Sequence, residues 1–205
     1  MRQHHITRTL LAIALVTGAV APALAGPPLV CVPYDIGTAR SLPWNAEGHA
    51  WKGMRSDYRV SQLTGDTLAL LAPGTPIIVR METLRRAALY ATKDAGIARD
   101  LLTTLLDRAR SKGANPLASF DAGYLVETYK QTAPLSPATA ALAAGVDGYA
   151  LASRSLAAHD PALEFAAAMM TADGRRGAWA EHVRLAKAGA AADQLLARNI
   201  AQLER

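Results

Sequence analysis

"PIIVRMETLRRAALYAT", residues 76–92, decides the fold of this 205-residue chain. At about 100° per residue, Ile77, Met81, Leu84, Ala88 and Ala91 share one stripe, as a packed helix requires. Ile78 and Leu89 project to one side of that stripe, and Val79 and Tyr90 lie almost opposite it. Apolar residues on several faces predict a helix enclosed by neighbours. The same helix carries Arg80, Arg85 and Arg86 close to those apolar positions. A guanidinium taken out of water must be paired, or its desolvation is prohibitive. Glu82 reaches Arg86 at i, i+4 in the favourable order, and Asp121, Glu127 and Asp147 are partners available from other segments. Two readings stand open: an ion-paired network that fixes helix register, or recognition of an anion or carboxylate by Arg80 and Arg85.

The helical pattern continues on the C-terminal side. Ala98, Leu101, Leu102, Leu105 and Ala109 form one stripe with Arg99, Asp100, Asp107 and Arg110 opposite, which predicts a surface helix. Helix starts are marked by a capping residue followed by proline at Thr75-Pro76, Asn115-Pro116, Ser136-Pro137 and Asp160-Pro161. A side-chain oxygen at the cap accepts a free backbone N–H, and proline suits the first helical position because its missing N–H would be unpaired there. The expected helices are 60–71, 76–92, 95–111, 116–131, 137–144, 146–158, 161–171, 176–188 and 190–203. The fold class is therefore all-α: antiparallel helical hairpins, α-solenoid-like or an irregular bundle, preceded by an extended N-terminal arm.

"NPLASFDA" from Asn115 and "DPALEFAA" from Asp160 share a cap, a proline, a phenylalanine and an alanine at equal spacing, 45 residues apart. Gly123-Tyr124-Leu125 echoes Gly148-Tyr149-Ala150-Leu151. On these features residues 76–205 loosely resemble the helical-hairpin repeats of the tetratricopeptide and HEAT type. No unit carries the full tetratricopeptide pattern. The resemblance implies stacked hairpins and a concave surface suited to a protein or peptide partner.

On the N-terminal side the character changes. Residues 1–25 hold a basic start (Arg2, Arg8), an apolar run from Leu10 to Val20 and the small-residue site Ala23-Leu24-Ala25, the three parts of a secretory signal in order. The apolar run falls short of the roughly 20 residues that span a bilayer. The expectation is an exported chain, periplasmic or extracellular, with no membrane span after cleavage. Its loss would leave 20 basic against 17 acidic residues, a weak excess. No basic run interleaved with aromatics accompanies it, so no nucleic-acid partner is expected.

Residues 26–56 are rich in proline, glycine and aromatics without a regular period, the expected arm; residues 57–205 are the expected helical domain. Trp44, His49, Trp51 and Tyr58 crowd into or beside the arm. They serve either as ligand contacts or as plugs that fix the arm on the helical body. Cys31 is the only cysteine, so it forms no disulfide within the chain. Val30 before it is wrong for a lipid anchor. It is a structural thiol, an intermolecular disulfide or a reactive group.

The binding candidates are Trp44, His49, Trp51, Arg80, Arg85 and Tyr124, with Cys31 as the candidate thiol. Glycine beside Tyr124 and Tyr149 predicts close approach of the backbone to a neighbouring helix or to a ligand. Glu47 with His49 matches no metal site, and His159 with His182 is a weak second pair. No catalytic motif is present, and no cofactor or metal is expected. A non-enzymatic peptide- or protein-binding module leads. The alternative is a small-ligand or metal-binding protein, or an enzyme without a familiar motif, with a pocket between the arm and the helix at 76–92.

Overall fold

A computed structural model describes residues 28–45, 50–111, 113, 115, 117–158, 160–172, 174 and 176–204. The expected signal at 1–25, His49 with Glu47, and His159 lie outside the described residues.

The described chain is all-helical. It runs α1 (Pro28–Cys31), α2 (Leu63–Leu70), α3 (Ile77–Ala91), α4 (Ala95–Arg110), α5 (Leu117–Gln131), α6 (Pro137–Ala143), α7 (Gly148–Ala152), α8 (Pro161–Thr171), α9 (Arg176–Gly189) and α10 (Gln194–Asn199). Short 3-10 segments lie at Ala50–Gly53, Val60–Gln62, Ser153–Ala158, Ala190–Ala192 and Ile200–Glu204. Among the described residues there is no strand, only an isolated bridge between Trp44 and Met54.

Helix α3 is the centre of the molecule. Every residue in it except Arg86 is buried, because α1, α2, α4, α5 and α8 all pack against it. Burying side chains such as Ile78, Met81, Leu84 and Leu89 contributes about 1.5–3 kcal/mol each. Helix α4 behaves as its single stripe requires: Ala98, Leu101, Leu102 and Leu105 are buried.

Local chemistry explains most helix starts. Ser136 Oγ accepts the Thr139 N–H and Asp160 Oδ1 accepts the Ala162 N–H, each with proline in the first helical turn. Asn115 Oδ1 accepts the Leu117 N–H at 2.9 Å. Asp94, Asp147 and Asp193 cap α4, α7 and α10 without a following proline. Thr75 is the exception. Its hydroxyl donates to the Leu70 carbonyl at 3.0 Å, and Pro76 takes the cap position of α3 with no side-chain bond. The expected helix at 146–158 divides into α7 and one 3-10 segment, and that at 190–203 into α10 with a 3-10 segment on each side.

Glycine has a specific task where α5 meets α7. A Cβ built on Gly123 would collide with the Gly148 carbonyl oxygen, and one on Gly148 with the Gly123 carbonyl oxygen. The two backbones therefore touch where the paired Gly-Tyr sequences lie.

Candidate functional site

The N-terminal segment from Pro28 to Asp57 is tied to α3 through charged groups. Glu82, one turn into α3 and 1 % exposed, is the hub. Its Oε1 accepts from Arg85 Nη2 at 2.8 Å and Arg86 Nε at 2.6 Å. Its Oε2 accepts from Arg85 Nε at 2.8 Å and the Tyr34 N–H at 3.0 Å. Burial alone would raise the Glu82 carboxyl, but the two guanidiniums and the backbone donor outweigh it and hold the carboxyl below its usual range.

Both arginines then reach the N-terminal segment. Arg85 Nη1 donates to the Val30 carbonyl at 3.2 Å and Arg86 Nη1 to the Leu42 carbonyl at 2.7 Å. The half-buried Trp44 ring stands over both, its centroid 4.9 Å from Arg85 Cζ and 5.7 Å from Arg86 Cζ. That is cation–π distance. Trp44 also meets Tyr90 edge-to-face at 6.0 Å. The Tyr90 hydroxyl donates to the Pro43 carbonyl at 2.7 Å and accepts the Arg55 N–H at 2.9 Å.

Arg80 lies on another side of α3. Its Nη1 donates to both Asp121 oxygens, at 3.0 and 2.7 Å. Nε and Nη2 donate to the carbonyls of Thr75 and Ala72, at 3.0 and 2.6 Å. Burial pushes the Asp121 carboxyl up to about 6 against the pull of Arg80 and, more distantly, Arg108. Tyr124 shares a 2.8 Å hydroxyl–hydroxyl bond with Tyr34, and burial drives both phenols upward.

The sequence-derived candidates are thereby placed. Arg80, Arg85 and Tyr124 are buried and bonded to the protein's own groups. Trp44 is stacked beside Arg85 and Arg86, whereas Trp51 is 40 % exposed. Cys31 is half-buried and free; burial raises its thiol, with Arg85 opposing. His49 lies outside the described residues.

A solvent-open groove of about 650 Å³ lies beside this network, where residues 39–43 face α2 and the start of α3. Leu70, Pro76 and Val79 provide apolar wall. Arg40 contributes a guanidinium with no ion-pair or hydrogen-bond partner among the described residues. Asp66 accepts the Tyr58 hydroxyl at 2.8 Å through Oδ2, leaving Oδ1 without a partner among the described residues. The sequence led to the expectation of a pocket between the arm and the helix at 76–92 using Arg80, Tyr124, His49 and Cys31, and none of these among the described residues lines this groove. Arg40 and Asp66 are 26 positions apart on unrelated segments, so no local pattern marked them.

No family model matches the chain, and neither a curated protein nor a solved structure does. Function rests on the site alone. Among the described residues no group of three or more His, Cys, Asp and Glu is placed to hold a metal ion, and no helix is long and apolar enough to cross a membrane.

Proposed function

We propose that this chain is an exported binding module that takes a short peptide in the groove between residues 39–43 and α2–α3. The observation that carries the reading is the pairing of an unpartnered Arg40 guanidinium from one wall with the Asp66 carboxylate from the other, over apolar Leu70, Pro76 and Val79. A short peptide with free termini has that charge pattern: a carboxylate for Arg40, an ammonium for Asp66 and side chains between. Complementary charge supplies the selectivity, and the volume falls in the range of about 300–1,000 Å³ usual for small-ligand sites.

The export half of the proposal is supported by residues 1–25 and places the module in the periplasm or outside the cell. In the helical body we read antiparallel hairpins assembled as an irregular bundle, with the N-terminal segment as an arm fastened across α3. The reciprocal contact of Gly123 with Gly148 supports a bundle crossing. The hydrogen bonds from Tyr34, Arg85, Arg86 and Tyr90 support the fastening.

Thermal stability of the purified chain, measured with a pool of tetrapeptides with free termini and again with acetylated, amidated counterparts, tests the proposal. Saturable stabilisation by the free-ended pool is expected, rising to about 2.7 kcal/mol at a hundredfold excess over the dissociation constant. Arg40→Ala and Asp66→Asn should each remove it while leaving helical circular dichroism unchanged. Binding that survives both substitutions, or none with either pool, sinks the reading.

A further inference from the structure

A second cluster lies where α7, α8 and α9 meet. Tyr149 Oη stands 2.7 Å from His182 Nε2. His182 Nδ1 stands 2.6 Å from Glu164 Oε2. With the Nδ1 proton donated to the ionised carboxylate, Nε2 presents its lone pair to the phenol proton, a tautomer assigned from the bonding pattern. Glu164 and His182 are 6 % and 8 % exposed, and Tyr149 is the half-buried, most exposed member. Each comes from a different helix, and α8 and α9 pack closely along their length. A hydroxyl on a base, with the base held by a carboxylate, is the arrangement that activates nucleophiles.

We propose that Tyr149, His182 and Glu164 form an acyl-transfer site, separate from the groove and independent of the peptide reading. Tyr149 Oη attacks the acyl carbon of the substrate while its proton passes to His182 Nε2. The C–X bond breaks, and the imidazolium returns the proton to the departing group, leaving acyl-Tyr149 and HX. Water then attacks the acyl carbon with its proton taken by Nε2. The phenoxide leaves and recovers that proton, releasing the carboxylic acid. Glu164 touches no reacting atom; it is a positioning residue that keeps the Nε2 lone pair facing Tyr149 and stabilises the imidazolium. The nucleophile also sets the substrate class. Phenoxide is a far better leaving group than an amide nitrogen, so its attack is productive only on acyl groups already activated, such as aryl esters and thioesters.

The test is p-nitrophenyl acetate mixed with the purified chain, followed by peptide mapping of the quenched protein. A burst of p-nitrophenolate stoichiometric with protein is expected, with acetate on Tyr149. Tyr149→Phe should abolish the burst. Glu164→Gln should lower kcat at least tenfold with KM unchanged, a split that loss of packing would not produce. A wild-type burst no larger than that of Tyr149→Phe, or kcat unaffected by Glu164→Gln, overturns the proposal. Should Tyr149→Phe fail to fold by circular dichroism, the wild-type map decides alone: acetate on Tyr149 sustains the site, and acetate confined to other residues refutes it.

Discussion

Gly123 and Gly148 are in mutual contact: neither has room for a Cβ because the other's carbonyl oxygen occupies that place. The neighbours on each side are backbone or tightly held, with the Ala152 backbone nitrogen also against Gly123 and the Val126 Cβ against Gly148. Close approach is thus what offsets the helix-propensity cost of glycine, about 1 kcal/mol relative to alanine.

Gly123→Ala should accordingly destabilise the protein by about 1–3 kcal/mol, the usual cost of overpacking, despite the better propensity of alanine. Gly65, in α2, is the control. A Cβ there meets nothing within 4 Å, so Gly65→Ala should raise stability by about 0.5–1 kcal/mol. Paired urea titrations would compare the two; equal signs would refute the contact argument.

Arg80→Leu should be costly in a pH-dependent way. In the parent protein the Asp121 carboxyl rises from 3.8 to about 6 on folding, so its stabilising increment is complete below about pH 4 and is lost as pH rises through 6. Without Arg80 the folded value rises further, and the loss continues to higher pH. The gap between variant and parent should stay level up to about pH 5 and widen above pH 6 by about 1.4 kcal/mol per pH unit. Denaturation midpoints across that range would measure it. A gap independent of pH would show that lost packing, not the charge, is responsible.

Glu82→Gln should release the N-terminal segment. It leaves the Arg85 guanidinium buried beside a neutral amide, with a cost of about 3–5 kcal/mol. It also loosens the Trp44 stack on Arg85 and Arg86. Tryptophan emission should shift to the red before helical circular dichroism is lost. Simultaneous loss of both signals would mean that the segment and the helices unfold as one unit.

Cys31 should be a slow nucleophile. Its thiol is raised by burial more than Arg85 lowers it, so less thiolate is present at a given pH than in the unfolded chain. Alkylation by iodoacetamide at pH 8 should be slower in the native protein than in urea, and the native rate should level off at a higher pH than the unfolded one. Native modification as fast as in urea would place the thiol in solvent.

The helical pattern was readable because its causes are local. Ser136 and Asp160 cap helices they precede by one residue, and the enclosed character of α3 is written in its own apolar positions. Thr75 misled for a physical reason: its hydroxyl is equally able to close on the Leu70 carbonyl five residues back, and does. The division of the expected helix at 146–158 was also hidden, since periodicity does not distinguish an α-helix from the 3-10 segment at Ser153–Ala158.

The sequence by itself determined that the chain is helical, where most helices start, that α3 is surrounded, and that Glu82 and Arg86 pair within one turn. These depend on hydrogen bonds and side-chain spacing within a few residues. Only the tertiary structure decided which distant groups meet: Arg80 with Asp121, 41 positions away, Asp35 with Asn199, 164 away, and His182 with both Glu164 and Tyr149. Several carboxylates could neutralise each buried cation, and the selection among them follows from the directions in which whole helices pack. The groove of Arg40 and Asp66 belongs to the same category, because a cavity exists only once two segments remote in sequence have been brought face to face.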